Sequence, residues 1–62
     1  MCESSAYLLE NGKEVLIFQN VDFLETDKDQ IKMVNLFGEK KIIKARVKAF
    51  SLLDHKILLE PF

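Results

Sequence analysis

The chain has no tryptophan and only one cysteine, one histidine, one proline and two glycines in 62 residues. Each scarcity closes off a class of protein. One cysteine cannot form an intrachain disulfide, so the sequence suits a reducing cytoplasm better than a secreted scaffold. One histidine and one cysteine leave no room for a catalytic triad, and no paired catalytic carboxylates, phosphate loop or dinucleotide fingerprint is present. Enzymatic activity is not expected. No apolar run exceeds four residues, with Val15 to Phe18 among the longest, so nothing is expected to span a membrane. Met1 to Ser5 has neither a basic nor an apolar region of the kind a signal peptide needs. A formal net charge of −1 argues against general attraction to nucleic acid.

What remains is ordinary for one small soluble domain, residues 1–62. It is 48% hydrophobic and 31% charged. A core of this size seldom supplies more than ~3–5 kcal/mol net, and small folds often add metals or a partner subunit. A two-fold homodimer is the commonest supplement.

Periodicity points to an all-β fold. Cys2–Leu9 reads as a first strand. Asn11-Gly12 follows, a strong hairpin signal because both residues tolerate positive φ. Glu14–Gln19 is the returning strand, and Val21 with Phe23 make a short third one. Glu25 to Asp29 reads as a charged hairpin tip. Gln30–Phe37 is the next strand, with Ile31 and Met33 on one side, and Gly38-Glu39 turns the chain. Lys41–Phe50 alternates, placing Ile43, Ala45, Val47 and Ala49 inward and Lys44, Arg46 and Lys48 outward. Ser51–Asp54 makes a corner. His55–Glu60 is the last strand, with His55 on the side of Ile57 and Leu59, and Pro61 stops it. Five or six short antiparallel strands predict a small SH3-like, partly open barrel that limits its exposed edges.

Four groups of residues bear on chemistry. Cys2 lies beside the chain's α-amine, and thiolate, amine and backbone amide together can chelate a soft or borderline metal. Read from the residues alone, Cys2 is more often a small apolar side chain at a strand start. His55, on the strand parity above, is expected to be a core or hydrogen-bonded residue rather than a ligand. Lys44, Arg46 and Lys48, extended by Lys40, form a basic stripe. It could meet phosphates, but no aromatic residues interleave with it, and a solvated face opposed by Glu14 or Glu60 is expected. Glu25, Asp27 and Asp29 lack the glycine and terminal glutamate of a Ca²⁺ loop.

Three blocks carry a resemblance to a known family. They are Met1-Cys2-Glu3 with Ala6-Tyr7-Leu8, then Val34-Asn35-Leu36-Phe37-Gly38-Glu39, then Ser51-Leu52-Leu53-Asp54-His55-Lys56-Ile57 with Leu59-Glu60. In order and position they resemble the CooT family of small nickel-binding proteins, associated with nickel delivery for carbon monoxide dehydrogenase maturation. Relatives have also been described as predicted RNA-binding proteins. The resemblance implies a small β-barrel-like homodimer that binds Ni(II) through Cys2. A nickel enzyme or its maturation machinery would be the partner. The rival expectation is an RNA-binding module that uses Lys44, Arg46 and Lys48.

One chain offers too few donors for a full site. Two chains meeting at a two-fold axis would supply two sulfurs and two nitrogens, a set that suits square-planar Ni(II). If Met1 is removed, amine and thiolate of Cys2 itself close a five-membered chelate. If it is retained, the Cys2 amide nitrogen takes that place.

Overall fold

The structure is a computed structural model that describes residues 4–61. It contains six strands: β1 (Ser4–Glu10), β2 (Lys13–Thr26), β3 (Ile31–Asn35), β4 (Lys40–Ile43), β5 (Ala45–Ser51) and β6 (Lys56–Pro61). They form one sheet in the order β4-β3-β2-β1-β6-β5. The two outermost strands, β4 and β5, are joined by a single residue, Lys44. Two edges that close together cannot belong to a flat sheet, so the sheet curls into a half-barrel, as the sequence predicts.

The β1–β2 hairpin forms where Asn11-Gly12 places it. Both residues have positive φ (55° and 79°), and Glu10 pairs with Lys13 across them. That backbone fits the twist of the flanking strands.

β2 differs from expectation. The segments Glu14–Gln19 and Val21–Phe23 are one strand of 14 residues. Asn20, at φ 57°, interrupts its regularity without ending it. The ladder with β1 shifts register between Ser4↔Val21 and Ala6↔Phe18, on either side of that residue. Asparagine tolerates this left-handed conformation better than most side chains. The bulge bends the strand, so its second half can pair with β3 from Val21 to Thr26.

The expected strand Lys41–Phe50 breaks at Lys44 into β4 and β5. The break turns the corner that closes the sheet. Another register shift lies between Val47↔Leu59 and Ala49↔Leu58. It accounts for Ala49, expected inward and found exposed, while Ala45 is buried.

Four of the five ladders are antiparallel. The fifth, β1 with β6, is parallel, pairing Ser5 to Leu8 with Lys56 to Leu59. The core sits within the curl: Ala6, Val21, Ile31, Met33, Ala45, Ile57 and Leu59, with Leu8, Ile17, Phe18, Leu24, Ile43 and Val47 packed against it. Ile31, Met33, Ile57 and Leu59 are its largest fully buried side chains, each worth about 1.5–3 kcal/mol of apolar burial.

Candidate functional site

Cys2 lies outside the described residues. β1 begins at Ser4, two positions further on, and the surroundings of that strand start are defined. Ser4 is buried and lies opposite Val21. Ser5 donates its N–H to the His55 carbonyl at 2.9 Å. The β5–β6 turn therefore clamps the first residues of β1.

His55 itself corrects an expectation. It does not share the core face with Ile57 and Leu59. It is exposed in the turn at φ 50°, and the strand starts one residue later, at Lys56. The left-handed residue sets the strand parity, so counting back from Ile57 fails there. The corner before it is tied by Ser51, whose Oγ accepts the Asp54 N–H at 3.3 Å and lies 3.3 Å from the Asp54 carboxylate.

Phe23 on β2 and Phe50 on β5 flank the start of β1. They are 49% and 55% exposed. With Ser4, Leu24 and Ile57 they line a shallow groove of about 120 Å³. β1 thus begins between two half-exposed aromatic rings.

Among the described residues, no group of three or more His, Cys, Asp or Glu is placed to hold a metal ion. The described sheet thus offers no complete donor set of its own. The chain's only thiol, Cys2, is not among the described residues.

The basic stripe meets the carboxylate of Glu60. Arg46 Nε meets Glu60 Oε2 at 2.8 Å, and Lys48 Nζ lies 3.9 Å from the other oxygen of the same carboxylate. Lys44 sits apart from them, on the β4–β5 corner. Glu14, also expected to face the stripe, instead contacts Lys56 on the far side of β1. That hydrogen bond holds the Lys56 ammonium above its usual pKa, against the opposing effect of burial, with the charges of Glu14, Tyr7 and Asp54 adding to it. Lys56 Nζ also lies 5.2 Å from the centre of the Tyr7 ring.

The charged tip holds itself together. Asp27 takes the Lys28 N–H on its carboxylate at 2.8 Å and donates its own N–H to the Gln30 carbonyl at 2.8 Å. Lys32 lines the hollow beside Glu25 and Asp27, so the acids there are not alone.

Asn35 is the residue whose role the sequence reading missed. It is buried, and its Oδ1 accepts the N–H groups of Phe37 (3.0 Å) and Glu39 (2.9 Å) while its Nδ2 donates to Glu39 Oε1 (2.7 Å). Asparagine three residues before glycine is the available signal, because Asx side chains hydrogen-bond the backbone two residues on. Gly38 follows with φ 83°. The turn lifts Phe37 beside a groove of about 300 Å³ along β2, which Leu16, Phe18 and Gln19 also line.

Residues 1–60 match the family described as CO dehydrogenase accessory protein CooT. Among solved structures, the crystal structure of a protein assigned as CooT in Carboxydothermus hydrogenoformans is similar, with a TM-score of 0.89 and 41% identity over 98% of each chain. No curated protein matches.

Proposed function

The chain belongs to the CooT family of CO dehydrogenase accessory proteins, and from that premise we propose that it binds Ni(II) through Cys2, as a homodimer in the cytoplasm, and holds or passes the ion for enzyme maturation. The family role is accessory rather than catalytic. The carrying observation is the reach of the match. It runs back to residue 1 and takes in the only thiol in the chain. The clamped start of β1 supports it, because the bond from Ser5 to His55 holds in place the strand that follows Cys2 in sequence.

The chemistry follows from the donors. A thiol must lose its proton to bind a metal, so affinity rises with pH. Sulfur with amine or amide nitrogen favours a square-planar d⁸ ion, and two chains are needed to fill four positions. An ion shared by two chains stabilises the dimer by mass action. Cu(II) would bind such a set more tightly than Ni(II), so delivery of the right metal depends on its availability.

The nucleic-acid alternative has less support. Glu60 stands against both Arg46 and Lys48, and a chain of net charge −1 exerts no general attraction on phosphates. Calorimetric titration of the full chain with Ni(II) tests the proposal. It expects one ion per two chains, and no heat of binding would refute it.

A further inference from the structure

The first half of β2 has an unused edge. β3 pairs with β2 only from Val21 to Thr26, so among the described residues Lys13 to Gln19 has β1 on one side and no strand on the other. The alternation of the ladder decides which groups are left over. The two-residue turn closes on Glu10 and Lys13, the last hydrogen-bonded pair of such a hairpin. Glu14 and Leu16 therefore turn their N–H and C=O groups away from β1, toward the open side. The stretch ends at Asn20, whose carbonyl accepts the Leu36 N–H at 2.9 Å.

Bare edges are commonly blunted by lysine or proline. Residues 14–19 read Glu-Val-Leu-Ile-Phe-Gln, rich in strand formers and holding neither. Beside them lies the groove of about 300 Å³, with Leu16, Ile17 and Phe18 on the strand side and Phe37 on the turn. Phe37 is 76% exposed. The turn uses its N–H, bonded to Asn35 Oδ1, and not its ring. An unpaired strand edge with an apolar groove along it suits an extended peptide. Main-chain bonds supply affinity, and the groove takes alternate side chains.

Charge selects the occupant. Glu39 is the one charged residue lining the groove. Its Oε1 accepts from Asn35 Nδ2, and no lysine or arginine among the described residues pairs with it. A second copy of the chain, at net −1, brings no excess of positive charge. A basic segment of another protein complements the carboxylate. The family role is that of an accessory protein, which has to touch another polypeptide.

We propose that the open edge of β2 takes an extended segment of a partner protein, which adds a strand beside Glu14 and Leu16, lays an apolar side chain against Phe37 and brings a lysine or arginine to Glu39. The proposal rests on the accessory role and not on the metal.

The test is a titration of the isotope-labelled full chain with a capped peptide of alternating Val and Thr around one central Lys, followed by amide shifts and amide hydrogen exchange. The peptide is expected to saturate the chain and to slow exchange at the Glu14 and Leu16 N–H groups at least tenfold. A twin peptide with Glu in place of Lys is expected to bind at least tenfold more weakly, and a twin with an N-methylated backbone not at all. Leu16→Pro removes a donor that faces the open side and leaves the ladder with β1 whole, so it is expected to abolish binding. Phe37→Ala changes a side chain that stands in solvent. It is expected to weaken binding at least fivefold with an unchanged melting curve, and it carries the test if Leu16→Pro does not fold. Glu39→Gln is expected to bring the Lys and Glu peptides to equal affinity. No binding, shifts confined to other strands, or equal binding of both peptides by wild type overturns the proposal. So does protection of Glu14 and Leu16 that grows with protein concentration in the absence of peptide, which makes a second copy the occupant. Cys2→Ser is expected to bind the peptide like wild type whatever it does with Ni(II), so this proposal and the nickel reading fail separately.

Discussion

Asn35 and Glu39 hold each other at three points. The Asn35 N–H donates to the Glu39 carbonyl at 3.0 Å, the Glu39 N–H donates to Asn35 Oδ1 at 2.9 Å, and Asn35 Nδ2 donates to Glu39 Oε1 at 2.7 Å. One side chain thus closes the β3–β4 turn and fixes where β4 begins. Because β4 leads through Lys44 into β5, the closure of the half-barrel depends on this turn.

Asn35→Ala leaves the N–H groups of Phe37 and Glu39 without their acceptor. Its expected cost is about 1–3 kcal/mol, the range for a buried hydrogen-bonding group left unmatched. Urea unfolding measures it. Glu39→Gln keeps an acceptor oxygen and both backbone bonds, and is expected to cost less than half as much.

Asn20 and His55 are two non-glycine residues with positive φ, at 57° and 50°. Asn20→Gly is expected to be close to neutral, whereas Asn20→Val is expected to cost about 1–2 kcal/mol, because a branched Cβ crowds the left-handed region. Thermal unfolding of the pair separates backbone strain from lost contacts.

His55→Asn keeps a residue that tolerates this conformation and removes the imidazole. It is expected to leave stability unchanged and nickel affinity within twofold of wild type. A tenfold loss of affinity with an unchanged melting curve would instead make His55 a ligand.

Lys56 gives a signature in alkali. Its pKa is raised above 10.5 in the fold, first through the hydrogen bond it donates to Glu14. A group whose pKa rises on folding contributes its stability in full below the unfolded value and loses it as pH climbs through the folded one. Melting temperature against pH should therefore fall more steeply above about pH 10.5 in wild type than in Lys56→Met or Glu14→Gln. Parallel curves would show that the pair adds nothing.

Much of this architecture was legible because it is local. Asn11-Gly12 announced its hairpin, and alternation found the strands around Ile31, Met33, Ile57 and Leu59. The errors share one cause. A left-handed residue or a one-residue bulge resets strand parity while leaving the alternation on either side intact. Asn20 therefore appeared as a strand break, Ala49 as inward and His55 as a core residue. The parallel pairing of β1 with β6 joins segments some fifty residues apart (Ser5 with Lys56), and no local pattern carries that information. At the candidate site, Cys2 was singled out by its place beside the α-amine and lies outside the described residues. Sequence pattern gave no hint that Phe23 and Phe50 flank the strand it leads into, because they meet only when β2 and β5 are brought to either side of β1 and β6.

The role of Cys2 is tested most directly by titrating the wild-type chain and Cys2→Ser with Ni(II) while following thiolate-to-metal absorption. Wild type is expected to develop the charge-transfer band and saturate at one ion per two chains, more readily at higher pH. Cys2→Ser is expected to show no band and to bind at least a hundredfold more weakly. Equal affinity in the two proteins would contradict the account.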